Sequence, residues 1–260
     1  MRHRRLAWML IAAATVTLSA CGSSSSGSGS GSSSKPSLTV SAASSLTKAF
    51  TAYGNDFPQA QARFSFAGSD MLAAQIEQGV KPDLFASANT SLPDTLYAKR
   101  LVAKPVVFAT NTLVIAVPAG STKVSSIADL AKPGVSIAIG SPSVPVGSYT
   151  RMVLAKLPAA ERKAILANVR SEEPDVDGVI GKLTQAAADA GFVYITDVDA
   201  TAGKTTAIQL PATLKPNVAY AAAVVDGSAH PTQAQAFIAG LLSGAGQQEL
   251  QKAGFGPPPK

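Results

Sequence analysis

Four short segments carry residue types suited to holding an anion. They are Ala42-Ala43-Ser44-Ser45, Ala67-Gly68-Ser69, Val144-Pro145-Val146-Gly147-Ser148 and Glu173-Pro174-Asp175-Val176. Each is small, hydroxylated or turn-forming, and each stands where a strand-like run gives way to a helix-like one. The first turn of a helix leaves N–H groups without intrahelical acceptors and carries partial positive charge. In open α/β sheets, ligands sit beyond the carboxyl ends of strands, where such turns lie. Singly, each segment is also what an ordinary helix cap looks like. Four in one chain point to an anion site without settling it.

Other chemistries find less support. His3 lies in an apparent export segment, which leaves His230 as the imidazole base of any hydrolase, in the helix-entry loop Ser228-Ala229-His230-Pro231. There is no Gly-x-Ser-x-Gly elbow, His-Glu-x-x-His or Gly-x-x-x-x-Gly-Lys. A serine–lysine pair stays open on spacing alone, so a serine hydrolase is kept as an alternative to the expected non-enzyme. One cysteine allows no internal disulfide, and two histidines give no His-rich metal site.

The elements that must position these turns follow from periodicity. Leu38-Thr39-Val40, Arg63 to Phe66, Asp83 to Ala88, Val106 to Ala109, Leu113 to Val117, Ser136 to Ile139, Phe192 to Ile195, Ala207 to Leu210 and Val218 to Val225 read as strands. Leu46, Ala49, Phe50 and Tyr53 form a helical stripe after Ser44-Ser45, an N-cap signal. Further helices are expected at 72–78, stopped by Gly79, and at 92–101, 147–157, 161–169, 175–185, 232–242 and 247–253. Strands alternating with helices of about ten residues imply α/β architecture with mostly parallel sheets. The strand count suits two sheets, hence two lobes with a hinge. The crossings are placed near Thr110-Asn111 and Asn217-Val218, giving residues 38–110 plus 218–260 as one lobe and 111–217 as the other.

Composition agrees with a large core: 46% of the 260 residues are hydrophobic and 15% charged, which excludes global disorder. The net charge of +6 owes much to Arg2, Arg4 and Arg5. Without residues 1–20 the excess is mild and has no cluster with interleaved aromatics, so nucleic acid is not an expected partner. The basic start, the apolar Leu6 to Leu18 and the ending Leu18-Ser19-Ala20-Cys21 read as a signal peptide over 1–20, too short to span a bilayer. That ending resembles the bacterial lipobox, which implies lipidation of Cys21 and a chain exported to the outer face of the cell membrane; an ordinary signal peptide is the alternative. Residues 22–34 are all Gly or Ser, so 21–37 reads as a flexible tether. A tethered surface adhesin would suit this arrangement equally.

Several motifs go further. Ala-Ala-Ser-Ser-Leu-Thr at 42–47, Phe-Ala-Gly-Ser at 66–69, Gln-Ile-Glu-Gln-Gly at 75–79 and Asp83-Leu84-Phe85-Ala86-Ser87-Ala88 resemble the molybdate-binding proteins of ABC importers. So do Val144-Pro145-Val146-Gly147-Ser148-Tyr149, Gly191-Phe192-Val193-Tyr194 with Asp197, and Gly254-Phe255, in the family's order across most of 38–256. The resemblance implies a two-lobed periplasmic-binding-protein fold of type II, a monomer without a cofactor, closing on molybdate or tungstate. Its partners would be a membrane permease and a cytoplasmic ATPase. Carried over residue by residue, it implies that Ser45 and Ser69 give hydroxyl and backbone N–H donors from one lobe. The N–H groups of Val146 and Val176 and the phenol of Tyr194 would come from the other. Molybdenum would thus be held as its oxyanion, with no direct protein–metal bond.

Two positions depart from the family. Ser44 stands where alanine is usual and adds a possible hydroxyl. Asp70 stands where a small neutral residue is usual; the favoured reading makes it a cap for the helix at Leu72, the other an acceptor for a protonated oxyanion or a cation. The implied donors are all neutral, which suits a fully deprotonated tetrahedral dianion. Sulfate, phosphate or an organic acid remain as alternative ligands.

Overall fold

The computed structural model of this chain describes residues 35–259. The expected signal peptide over 1–20, Cys21 and the Gly/Ser run lie outside the described residues. In chain order the elements are β1 (Ser37–Ala43), a 3-10 turn (Ser44–Leu46), α1 (Thr47–Asn55), β2 (Gln61–Ala67), α2 (Ser69–Glu77), β3 (Leu84–Ser87) and α3 (Ser91–Ala98). Then come β4 (Val106–Asn111), β5 (Leu113–Pro118), a 3-10 turn (Ile127–Ala131), β6 (Ile137–Gly140), α4 (Pro145–Ala155) and α5 (Ala159–Ala167). β7 (Val169–Glu173), α6 (Val176–Thr184), β8 (Ala190–Tyr194), α7 (Ile195–Ala200), β9 (Thr205–Gln209), β10 (Val218–Val224), α8 (Pro231–Leu242) and α9 (Ala245–Lys252) complete them.

Ten strands make two five-stranded sheets, ordered β2-β1-β3-β10-β4 and β7-β6-β8-β5-β9. The two repeat one plan: three neighbouring parallel strands, then one reversed strand, then an edge strand that again runs with the first three. Four of the five strands in each sheet thus share one direction, as expected of mostly parallel sheets, and the reversed strands are β10 and β5. The antiparallel pairings arise because β4 runs straight into β5 through Thr112, and β10 returns from the second sheet. Each of β5 and β10 therefore enters its sheet from the other one, at the end where the parallel strands stop, and runs against them.

Strand composition follows the layering. β10, Val-Ala-Tyr-Ala-Ala-Ala-Val, is buried at all seven positions, as a strand covered on both faces must be. On α1, Ala49, Phe50 and Tyr53 turn inward, where Phe50 packs against Phe64, Phe108 and Phe237 at centroid distances of 6.2, 5.9 and 5.5 Å. α2 stops before Gly79, whose φ of +99° suits glycine.

Three differences from the expected elements have physical causes. β7 is an edge strand, Val-Arg-Ser-Glu-Glu, with alternating half-buried and exposed positions; its charges keep the edge solvated and leave no apolar run to detect. α7 replaces the end of an expected strand because the Asp197 carboxylate accepts the Tyr194 N–H at 2.9 Å, turning the chain into a helix. Ser44-Ser45 does not cap α1: neither it nor the preceding turn has a side-chain cap bond. The two serines form the 3-10 turn itself, so their hydroxyls are available elsewhere.

Candidate functional site

The parallel strands of both sheets end at one place. After β1 come Ser44 and Ser45, after β2 Gly68 and Ser69, and after β3 Ala88. After β6 come Val144, Pro145 and Val146, after β7 Asp175 and Val176, and β8 ends on Tyr194. All of these line a single small cavity between the sheets. Ser45, Ser69, Val146, Val176, Tyr194 and the additional Ser44 are thus brought together; Asp70 is not among the lining residues. The cavity is small, with a volume of about 10 Å³, far below the roughly 300 Å³ at which organic-ligand pockets begin. Among the described residues no lysine or arginine lines it.

The donors are set by local structure. Pro145 occupies the first turn of α4, where its missing N–H costs nothing, and Val146 is the first residue there able to donate. At α6 the Asp175 side chain accepts the Gly178 N–H at 2.9 Å, fixing the start of the helix and leaving the Val176 N–H outward. Neither the Val146 nor the Val176 N–H bonds another backbone group among the described residues. Gly147 is required because a Cβ there would collide with the carbonyl oxygens of Ser141 and Gly140. That close approach seats the α4 N-terminus on the end of β6.

The side-chain donors are equally constrained. Ser69 is 1% exposed, and its Oγ accepts the Ala88 N–H at 3.1 Å, so its own proton is free for the cavity. Ser45 Oγ lies 3.0 Å from the Tyr220 hydroxyl. Tyr194 is 1% exposed, and its hydroxyl has no partner among the described residues. A buried unsatisfied hydroxyl costs about 1–3 kcal/mol, so such a group calls for a ligand-side explanation. Burial first, then the neighbouring Tyr220, pushes the Tyr194 phenol well above its ordinary pKa. It therefore stays a donor.

Asp70 corrects the capping expectation. α2 begins at Ser69 with Gly68 as N-cap and no side-chain cap bond. Asp70 lies in the first turn, where a carboxylate suits the helix dipole, but its Oδ2 accepts the Ser143 hydroxyl at 2.6 Å, from the segment before α4. Oδ1 is buried without a partner among the described residues and packs 2.8 Å from where a Cβ on Gly68 would stand. That same Cβ would strike the Pro174 carbonyl oxygen. The two halves thus touch at Gly68–Pro174 and Asp70–Ser143, beside the cavity.

Other features belong to the surroundings. An open hollow of about 550 Å³ adjoins the cavity through Ser44 and Ser45, and Lys48, Lys204 and Asp177 give its wall both signs of charge. Its mixed charge suits a solvent approach better than a selective seat for an anion. Tyr220, Asn111, Ser143 and Arg151 were not found from sequence. Arg151 donates to the carbonyls of Gly140 and Gly147 at 2.9 and 3.2 Å and to Glu172 at 2.6 Å, bracing the α4 turn. Only Tyr220 carried a signal, as the one polar-tipped aromatic in an otherwise apolar strand. His230 stands apart at the start of α8: its N–H donates to Asp83 at 2.9 Å, and the Ser228 hydroxyl gives its proton to the same carboxylate at 2.7 Å. No serine–imidazole donor pair arises there.

Comparison with known proteins agrees with this layout. Residues 38–256 match the family described as bacterial extracellular solute-binding protein. The molybdate-binding protein ModA of Mycobacterium tuberculosis is 39% identical over 228 residues, covering 85% of each chain. Among solved structures, the periplasmic molybdate-binding protein of Azotobacter vinelandii superposes with a TM-score of 0.75 at 21% identity, over 85% of this chain and all of that one. The sulfate-binding protein SubI of M. tuberculosis gives 0.76 at 18%, over 85% and 87%. These two likenesses speak for the two-lobed α/β fold, which is shared by binders of different anions. The chain belongs to the bacterial extracellular solute-binding protein family.

Proposed function

We propose that this protein captures molybdate between its two lobes and hands it to an ABC importer. The observation that carries the reading is the small cavity with neutral donors from both lobes and, among the described residues, no cationic side chain in its wall. A tetrahedral dianion can be held there by the hydroxyls of Ser45, Ser69 and Tyr194 and by first-turn N–H groups, including those of Val146 and Val176. Each charge-assisted bond contributes about 1.5–3 kcal/mol, and nanomolar affinity needs about −12 kcal/mol. About seven bonds therefore suffice after closure and desolvation. The 39% identical relative named as a molybdate-binding protein favours molybdate over sulfate; tungstate, of nearly the same size and charge, is expected to compete.

In this reading the lobes are residues 38–110 with 218–260 and residues 111–217, hinged near Asn111 and Asn217. The chain is exported by residues 1–20 and held at the outer face of the membrane through a lipid on Cys21. Labelled lipid incorporated by the wild type and lost in Cys21→Ser would test the anchor.

The test of the ligand is calorimetry with molybdate, tungstate, sulfate and phosphate. Tight binding of the first two, with Ser69→Ala weakened about 10–150-fold, is expected. Equal affinity for sulfate, or no effect at Ser69, would sink the reading.

A further inference from the structure

We propose that Tyr220 is a positioning residue: it turns the Ser45 hydroxyl toward the ligand, at the end of a hydrogen-bond chain that starts at the lobe crossing. This rests on the oxyanion reading of the cavity. Tyr220 is fully buried and does not line the cavity, so it acts through Ser45 and not on the ligand.

Proton directions follow from the far end of the chain. Asn111 closes β4 at the crossing into the second sheet, and its Oδ1 accepts the Thr112 N–H at 2.8 Å. That fixes the amide so that Nδ2, a donor only, faces Thr196 and Tyr220. It donates to Thr196 Oγ1 at 2.9 Å and approaches the Tyr220 hydroxyl at 3.5 Å. With an N–H on that side, the nearest acceptor for the phenolic proton among the described residues is Ser45 Oγ at 3.0 Å. Burial drives the Tyr220 pKa well above the ordinary value, so the proton is present.

A serine hydroxyl has one proton to give. Once Ser45 Oγ accepts from Tyr220, its own proton must point elsewhere, and the cavity is on that side. Without Tyr220 the rotor is released, and many of its orientations would set an oxygen lone pair against the anion. Thr196 belongs to α7, beside the second sheet, whereas Tyr220 and Ser45 belong to the first. The chain therefore ties the direction of one ligand donor to the placement of the two lobes.

The test is a double-mutant cycle on the full-length chain, titrated with sodium molybdate. Tyr220→Phe is expected to weaken binding about three- to tenfold while leaving the ligand-free melting midpoint nearly unchanged. Ser45→Ala weakens binding at least as much, and the double variant binds no more weakly than Ser45→Ala alone. A merely structural role would give losses that add in the double variant, and that result would overturn the proposal. So would wild-type affinity in Tyr220→Phe. If the wild type itself gives no heat with molybdate, the oxyanion reading has failed and this proposal falls with it; binding that is indifferent to Tyr220 removes this proposal alone.

Discussion

The Ser143 hydroxyl donates to the Asp70 carboxylate at 2.6 Å, joining the start of α2 under the first sheet to the loop before α4 under the second. The bond lies beside the cavity and is partly open to water, so it acts on closure and its strength is screened. Asp70→Ala and Ser143→Ala should each speed molybdate dissociation about two- to fivefold. Asp70→Ala should also quicken association, because a negative charge near an anion's path is removed. Stopped-flow mixing separates the two rates. An unchanged dissociation rate in both variants would mean that the contact does not hold the lobes together.

Tyr194 offers a test with opposite signs in one variant. Its hydroxyl is buried and unpartnered among the described residues. Tyr194→Phe should therefore leave the ligand-free protein as stable or about 1 kcal/mol more stable, while weakening oxyanion binding by roughly tenfold or more. Denaturant unfolding without ligand and calorimetry with it read the two effects. A variant destabilised in both would show that the hydroxyl serves the fold.

Much of this site was legible because its parts are local. The serines, the Val144-Pro145-Val146-Gly147 turn and Tyr194 each sit where an apolar strand stops, and strand ends can be read from periodicity. What sequence could not give is which hydroxyl is already spoken for. Ser44-Ser45 has the composition of a cap, yet one of the pair bonds Tyr220, 175 residues away. Asp70 likewise has the composition of a cap, but its partner is 73 residues distant. The one reversed strand in each mostly parallel sheet was also hidden, since its direction depends on where β5 and β10 cross over and not on their apolar character. β7 escaped for the opposite reason: an edge strand must look polar to stay soluble.

Gly147 predicts a loss of function without loss of fold. A Cβ at this position would run into the carbonyls of Ser141 and Gly140, so Gly147→Ala must lift the α4 N-terminus from β6. Overpacking of this kind costs about 1–3 kcal/mol, which a domain with this core should survive. The Val146 N–H leaves its aim with the same movement. Circular dichroism should remain that of the wild type while molybdate affinity falls at least a hundredfold. Wild-type affinity would show that the turn can relax without moving its donors.

Asp197 contributes to the pH dependence of folding, and Asp177, whose carboxyl is also raised by burial, adds in the same direction. Asp197 is 7% exposed, and burial, partly offset by the Tyr194 N–H and reinforced by Asp177 and Asp175, pushes its carboxyl up to about 8. In the unfolded chain the same group titrates near its ordinary value, about 4. The folded state therefore holds the proton more tightly, and stability must fall as pH rises from about 4 to about 8, then level off. Asp83 and Asp189 do not mask this. Burial raises both, but hydrogen bonds outweigh it and leave them below the ordinary range. Their contributions are lost only as pH falls below about 4. Asp197→Asn keeps an acceptor for the Tyr194 N–H and removes the titration. Urea unfolding of the ligand-free protein between pH 5 and 9 should slope downward in the wild type and flatten by about one proton's worth in Asp197→Asn. Equal slopes would place the titrating group elsewhere.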